Sequence, residues 1–355
     1  MTADLTSDSR WEPDMLGGSW LARTLRLRPD EEGEVVATLV ADGARPRTAR
    51  AVLYVHGYVD YFFQTHMADV LADHGYTFYA LDLRRYGRSL RAHQTPNYVT
   101  RLSDYAEELD TAARIVRDEL GHEELVVLGH STGGLVTALW ADARTRTGSA
   151  SGPGSGSTSG TSTASGSGPA AGSTVQIDTV QIDALVLNSP WLDLNEPWFS
   201  RVVATRLIDV LGPLAPRTPV GGLGPHYGRA LHKDTGGEWD YDLTLKPHEG
   251  FPARAGWLRA VRRGHAQVAR GLDIRCPVLV LTPDASGDAK RWHDAILTTD
   301  SVLDVQQTAR LAPGLGRDVT LVTVPGAAHD LSLSPEPARS RFFDEVTSWL
   351  ASKGL

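Results

Sequence analysis

Residues 125–134 read LVVLGHSTGG, an apolar run that ends in a glycine-bounded serine, and this stretch restricts the fold of the chain more than any other. Residues 125–128 have strand character, and residues 135–142 take up a helical pattern. Ser131 falls at the changeover, in the spacing G-x-S-x-G set by Gly129 and Gly133. A strand that turns sharply into a helix forces the residue at the turn into a strained backbone conformation, and side chains two positions either side would collide. Glycine at both places relieves that collision. The hydroxyl is then presented at the N-terminal end of a helix, beside backbone N–H groups suited to a negative oxygen.

The rest of the chain repeats the alternation. Residues 34–40 and 51–55 are apolar runs joined by the loop 41–50, expected as neighbouring strands, and the second leads into His56-Gly57-Tyr58. A helix is expected over residues 61–74, where Phe63, Met67, Val70 and Leu71 recur at helical spacing and Gly75 supplies a stop. Residues 77–83 read as the next strand. Ser103 opens a helix that closes at Gly121 and carries Tyr105, Leu109, Ala112, Val116 and Leu120 on one side. Beyond the serine turn, residues 184–188, 277–282 and 318–324 are strand-like and 303–311 helix-like. A closing helix over 336–352 turns Phe342, Val346, Trp349 and Leu350 inward. Strands taken in turn with helices favour a mostly parallel sheet covered on both faces, an α/β architecture.

Two stretches interrupt this pattern. Residues 147–173 are almost wholly Gly, Ser, Thr, Ala and Pro; they have nothing to bury and read as a disordered surface insertion. TVQID then occurs twice in tandem, at 174–178 and 179–183, a local duplication too short for a repeat fold. From 192 to 274 the alternation lapses into a region rich in Trp, Pro and Gly, with helix-like pieces at 199–211 and 253–271. Excursions from the carboxyl ends of sheet strands commonly shape ligand access, so this region reads as a lid; a purely stabilising insertion is the other reading. The chain thus divides into a core, 1–190 with 275–355, and a cap, 191–274. The segment 221–228 resembles a phosphate loop only in its glycines, because it lacks the following lysine and the preceding strand.

Charge and composition exclude several classes. The net charge is −8, and the arginine pairs that begin at Arg84 and Arg262 are isolated, so no nucleic-acid partner is expected. One cysteine, Cys276, leaves no intramolecular disulfide and no cysteine-only metal site. The N-terminus is polar and acidic, without the basic-then-apolar order of a signal peptide. No segment reaches membrane-spanning length, so a cytoplasmic location is expected.

A serine hydroxyl is a weak nucleophile near neutrality and needs a base, which in turn needs a group to fix its tautomer. His329, in the small-residue loop Pro325-Gly326-Ala327-Ala328-His329-Asp330 after the strand 318–324, lies at the same sheet edge as Ser131 and is the expected base. His56, His66, His93 and His130 also lie near loops, and His56 and His130 are expected to shape the site rather than react. The acid should follow the strand 277–282. Asp284 has the better spacing, whereas Asp300 precedes an apolar helix that would hold its backbone, and the residues alone leave both open; Asp288 and Asp294 read as solvated. The oxyanion donors are expected from Thr132, just after the nucleophile, and from Tyr58, where Gly57 removes side-chain bulk.

Val55-His56-Gly57, Gly129-His130-Ser131-Thr132-Gly133 and the segment 326–330, in that order and with an excursion before the acid, resemble the alpha/beta-hydrolase superfamily. Within it the chain is similar to the monoacylglycerol lipase and lysophospholipase-like branch, which includes serine aminopeptidase-type hydrolases. Asp60-Tyr61-Phe62-Phe63 and the segment 78–84 (FYALDLR) strengthen the likeness, which spans about residues 51–349 apart from the Ser/Gly tract. The resemblance implies the alpha/beta-hydrolase fold and a serine esterase using Ser131, His329 and an acid. In that branch the acid opens a D-x-apolar-x-D segment, which Asp300-Ser301-Val302-Leu303-Asp304 matches, although its distance from the strand is longer than usual. The implied substrate is a small-molecule carboxylic ester with an apolar acyl chain, turned over without metal or organic cofactor. Trp191, Trp198, Phe199, Trp239 and Trp257 could line its channel or pack the core. Two rival readings remain: an aminopeptidase-type amide hydrolase, with Glu238, Asp240 and Asp242 receiving a substrate ammonium, and a non-catalytic binding module on the same fold.

Overall fold

A computed structural model describes residues 10–150, 180–194, 209 and 212–355, with 146–150 known by backbone alone. The largely apolar runs become the parallel strands β4 (Arg50–Val55), β5 (Tyr76–Asp82), β6 (Glu124–His130), β7 (Ala184–Asn188), β10 (Val278–Pro283) and, at the sheet edge, β11 (Val319–Val324). Ahead of them lie β1 (Glu12–Pro13), β2 (Trp20–Asp30) and β3 (Gly33–Asp42). Among the described residues these nine strands form one sheet in the order β1-β2-β3-β5-β4-β6-β7-β10-β11. The members from β5 through β11 pair in parallel, while β1, β2 and β3 are antiparallel additions at one edge.

Side-chain alternation divides each central strand between two core layers, as a sheet covered on both faces requires. Ala51, Leu53 and Val55 of β4 and Leu185 and Leu187 of β7 enter one layer; Val52, Tyr54, Ala184 and Val186 enter the other. The first layer is closed by α2 (Ala106–Arg114) and α3 (Thr132–Ala150), the second by α1 (Thr65–Asp73) and the terminal α7 (Ala338–Ser352). The helix α6 (Val305–Leu311) lies between β10 and β11 in the chain.

Several expectations are corrected. The runs 34–40 and 51–55 are not neighbours, because β5 inserts between β3 and β4. The helix expected from 61 begins only at Thr65: Asp82 accepts the Phe62 N–H at 2.9 Å and the Gln64 side chain accepts the Phe63 N–H at 3.0 Å, holding residues 61–64 out of helical register. The helix expected over 103–121 is broken into a tight turn at Leu102–Tyr105, α2, and a wider last turn to Glu119.

Residues 191–274 give the central sheet no strand among the described residues. They hold the short pair β8 (Pro219–Gly221) and β9 (Ala253–Arg254), α4 (Pro225–Leu231) and α5 (Ala255–Val268). The Ser/Gly tract from 151 onward, the first TVQID copy and nearly all of the helix expected at 199–211, with Trp198 and Phe199, lie outside the described residues. Among the described residues no helix is long and apolar enough to cross a membrane.

Candidate active site

The turn after β6 has the geometry its composition implies. Ser131 takes φ 53°, a left-handed conformation that costs a non-glycine residue free energy. It is held there by its N–H to Asn188 O at 3.0 Å and by Trp191 N–H and Leu135 N–H to its carbonyl, at 3.0 and 3.2 Å. A Cβ on Gly129 would lie 2.4 Å from Thr137 Oγ1, and one on Gly133 would lie 2.3 Å from the His56 carbonyl oxygen. The elbow packs so closely on its neighbours that neither position has room for a side chain.

The structure brings Ser131, His329 and Asp300 together. His329 Nε2 is 3.0 Å from Ser131 Oγ, and His329 Nδ1 is 3.1 Å from Asp300 Oδ2 and 3.0 Å from Oδ1. All three are buried. Asp300 Oδ1 also accepts the Val302 and Leu303 N–H groups at 3.0 and 2.7 Å, which fixes the orientation of the carboxylate. With Nδ1–H directed at Asp300, Nε2 carries the lone pair that faces the serine.

Asp300 reaches the strand end despite its distance along the chain. Its N–H donates to Ala285 O at 2.8 Å and its carbonyl accepts the Gly287 N–H at 2.8 Å, so residues 287–299 form a closed excursion whose two ends touch. Asp284 points elsewhere, accepting the Gly326 N–H at 2.9 Å.

Tyr58 and Thr132 flank the nucleophile. The strand register places Val55 beside Gly129, and a Cβ on Gly57 would come within 3.1 Å of Ser131 Cβ, so the loop after β4 runs directly over the elbow. Tyr58 is anchored outward: its hydroxyl donates to Phe251 O at 2.9 Å and its ring stacks on Trp257 at 4.2 Å. Thr132 is the first residue of α3, where helix N–H groups lack intrahelical partners.

Of the other loop histidines His93 is exposed, while His56, His66 and His130 are tied into structure. His56 donates through Nδ1 to Gly57 O at 2.8 Å and accepts the Leu83 N–H on Nε2 at 3.1 Å, which leaves it no proton-transfer position. His66 bonds Ser332 O at 2.8 Å and stacks on Trp239. His130 lies 3.2 Å through Nδ1 from Asn188 O, and its ring is 5.0 Å from that of His329. Burial lowers the His130 pKa, with Asp330 opposing and His329 adding to the fall, so its ring stays neutral at pH 7.

Behind the triad is a polar cluster that sequence reasoning missed. Polar atoms of Asp60, His130 and Asp330 lie within 4.8 Å of one another, a spacing that could hold a metal ion. These ligand positions are already engaged by donors of the chain itself. Lys246 Nζ is 2.6 Å from Asp60 Oδ1, and Asp330 accepts from Asn188 Nδ2, Ser332 Oγ and Ser332 N–H at 2.8, 2.7 and 3.0 Å. Burial raises the Asp330 pKa, but His130, Ser332, Asn188 and Lys246 outweigh it and hold the carboxyl below its usual range. The adjacency of Asp60 and Asp330 to the two motifs was the available signal. For Tyr227, whose hydroxyl accepts the Asp330 N–H at 2.9 Å and whose ring is 5.9 Å from that of His329, the sequence carried none.

Of the aromatic residues expected to line a channel, Trp257 is buried in the core and Trp239 donates to Leu333 O at 2.9 Å, so both are taken up in packing, whereas Trp191, bonded to the elbow and 5.9 Å from Trp257, is half-buried. The acidic run is engaged internally: Glu238 with Arg339 at 2.8 Å, Asp240 with Lys233 at 2.6 Å, Asp242 with the Thr244 hydroxyl at 2.7 Å.

Comparison with known proteins agrees with this fold. Residues 46–152 match the family model described as serine aminopeptidase, S33. A monoacylglycerol lipase of Mycolicibacterium smegmatis is 28% identical over 305 residues, 85% of this chain and 88% of that one. Two solved structures share the fold. A monoacylglycerol lipase of Paleococcus ferrophilus has TM-score 0.59 at 19% identity, covering 90% of this chain and 99% of its own. A soluble variant of the Saccharomyces cerevisiae monoglyceride lipase, bound to a substrate analog, has TM-score 0.60 at 13% identity, covering 98% and 96%.

Proposed function

We propose that the chain, which has the alpha/beta-hydrolase fold and is similar to monoacylglycerol lipases, is a serine carboxylic ester hydrolase that cleaves monoacyl esters of lipid-like alcohols through an acyl-enzyme on Ser131. The observation that carries this reading is the continuous relay Ser131 Oγ, His329 Nε2, His329 Nδ1, Asp300, with 3.0 and 3.1 Å at its two links. His329 takes the hydroxyl proton as Ser131 attacks the ester carbonyl. The oxyanion forms toward the Tyr58 and Thr132 amides, and the imidazolium, steadied by Asp300, returns the proton to the departing alcohol. Water then repeats the cycle in reverse on the acyl-enzyme. Residues 191–274 act as a cap over a core of 1–190 and 275–355. Half-buried Trp191 beside the elbow suits an apolar acyl chain. Aminopeptidase-type cleavage is disfavoured because Glu238 and Asp240 are spent on arginine and lysine of this chain and Asp242 on its own turn.

The test is Ser131→Ala, which leaves the elbow intact and should abolish turnover of monoacylglycerols and short p-nitrophenyl esters; retained activity refutes the nucleophile. A fluorophosphonate probe should label Ser131 in the folded protein. Cleavage of prolyl amides in preference to monoacylglycerols would transfer the reading to amides.

A further inference from the structure

We infer that Lys246, carried by the cap and ion-paired at 2.6 Å to buried Asp60, is a positioning residue for ester hydrolysis that holds the oxyanion loop in place and balances the carboxylates behind His130. This rests on the reading of Ser131, His329 and Tyr58 given above. Asp60 follows Val59, which takes φ 52°. A β-branched residue strongly resists that conformation, so the loop carrying the Tyr58 amide persists only where its surroundings over-determine it. The cap does so at three points. Tyr58 is fastened to Phe251 O, Asp60 to Lys246, and the Tyr61 hydroxyl accepts the Asp242 N–H at 2.7 Å. The ammonium is itself confined, 4.9 Å from the Phe63 ring centre and 5.3 Å from that of Tyr241.

Charge supplies the second part. Around His329 stand Asp300 from the loop before α6, Ser131 and His130 from the elbow, Asp330 from its own loop and Tyr227 from α4; Asp60 and Lys246 lie in the next layer. Asp60 and Asp330 would set two negative charges next to a neutral His130, and Lys246 cancels one. Loss of either partner changes the field at the imidazole by one unit charge, in opposite directions.

Lys246→Met should lower kcat about 10- to 100-fold, a partial loss of oxyanion stabilisation, while KM changes little. Lys246→Arg should restore most of kcat. Asp60→Asn, nearly isosteric, should also lower kcat. The acid limb of the kcat/KM profile should move down by about half to one pH unit in Asp60→Asn and up in Lys246→Met. Wild-type kcat in both variants, or acid limbs that coincide with the wild type or move the same way, overturns the inference. If Lys246→Met does not fold, Asp60→Asn alone decides by the same two readings. Activity surviving in Ser131→Ala would instead overturn the hydrolytic reading, so the two failures are distinct.

Discussion

Asp300, the proposed acid, is the site residue whose position depends most on chain path and least on local sequence. Ser131 and His329 were legible because each sits within a few residues of a strand end, where the glycines or small residues that a tight turn needs leave a mark. Asp300 carries no such mark. The sheet edge it serves is reached only because residues 285–287 and 300 close the intervening excursion on itself, a non-local pairing that spacing along the chain does not encode. Asp284, the alternative that spacing favours, is used to hold Gly326 at the base of the histidine loop. The two carboxylates therefore separate experimentally. Asp300→Asn keeps acceptor bonds to Val302 and Leu303 but no longer fixes the His329 tautomer, and kcat should fall about 10³- to 10⁴-fold with the melting temperature nearly unchanged. Asp284→Asn should leave kcat within about threefold, since it touches no reacting group. Steady-state kinetics on one ester substrate compare both, and equal losses would show that the acid has been misassigned.

At the level of elements, the central parallel strands were readable as apolar runs, while the antiparallel strand β2 was not. Its inward positions are Arg23, Leu25 and Leu27, and an arginine at a core-facing position destroys the alternation by which a half-buried strand is recognised. Arg23 is buried but reaches Glu119 at 2.5 Å, and that carboxylate is 48% exposed. The segment after β5 uses arginine differently. Arg84 bonds Glu107 and Glu108 of α2 at 3.0 and 2.6 Å, Arg85 bonds Asp30 of the β2–β3 hairpin at 2.6 Å, and Arg88 bonds Asp14 and Asp82 at 2.6 and 2.9 Å. One short stretch thus pins a helix, a hairpin and the N-terminal strand to the end of β5. The partner's exposure sets what each contact is worth. Arg23→Leu lets Glu119 turn to water and fills an apolar site, so stability should stay within about 1 kcal/mol of wild type. Arg84→Leu strands fully buried Glu108 without a counter-charge and should cost about 3–5 kcal/mol. Urea unfolding of the two variants measures the contrast; a larger loss for Arg23→Leu would contradict it.

For the molecule as a whole, the imidazoles packed into the interior set its tolerance of acid. His265 of α5 ties that helix to the segment after β7 that bonds Ser131: its Nε2 donates to Trp191 O at 3.0 Å, and its Nδ1 accepts from Arg262, which pairs with Asp193 at 2.7 Å. Burial first, then the Arg262 charge, push its pKa down to about 3, against pulls upward from Asp193 and the Trp191 carbonyl. His130, His66 and His122 are lowered too, in each case chiefly by burial. A folded-state pKa below the unfolded one means the unfolded chain binds more protons, so this contribution to stability is complete above about pH 6.5 and is lost as pH falls. His265 alone should account for about 2 kcal/mol of loss by pH 5, a drop of 1.5 pH units below the free imidazole value at about 1.4 kcal/mol each. Carboxylates held low, such as Asp330 and Asp14, act only further down, below their ordinary value of 3.8. Acid destabilisation should therefore begin with histidine near pH 6.5, before the carboxylates that are held low, and it should first loosen α5 from the elbow through Trp191. Urea midpoints measured from pH 7.5 to 4.5 should decline across that window, less steeply in His265→Gln, whose amide can still donate to Trp191. A midpoint independent of pH over this range would show that these rings take up protons alike in the folded and unfolded chain and that the coupling of α5 to the elbow does not depend on their neutrality.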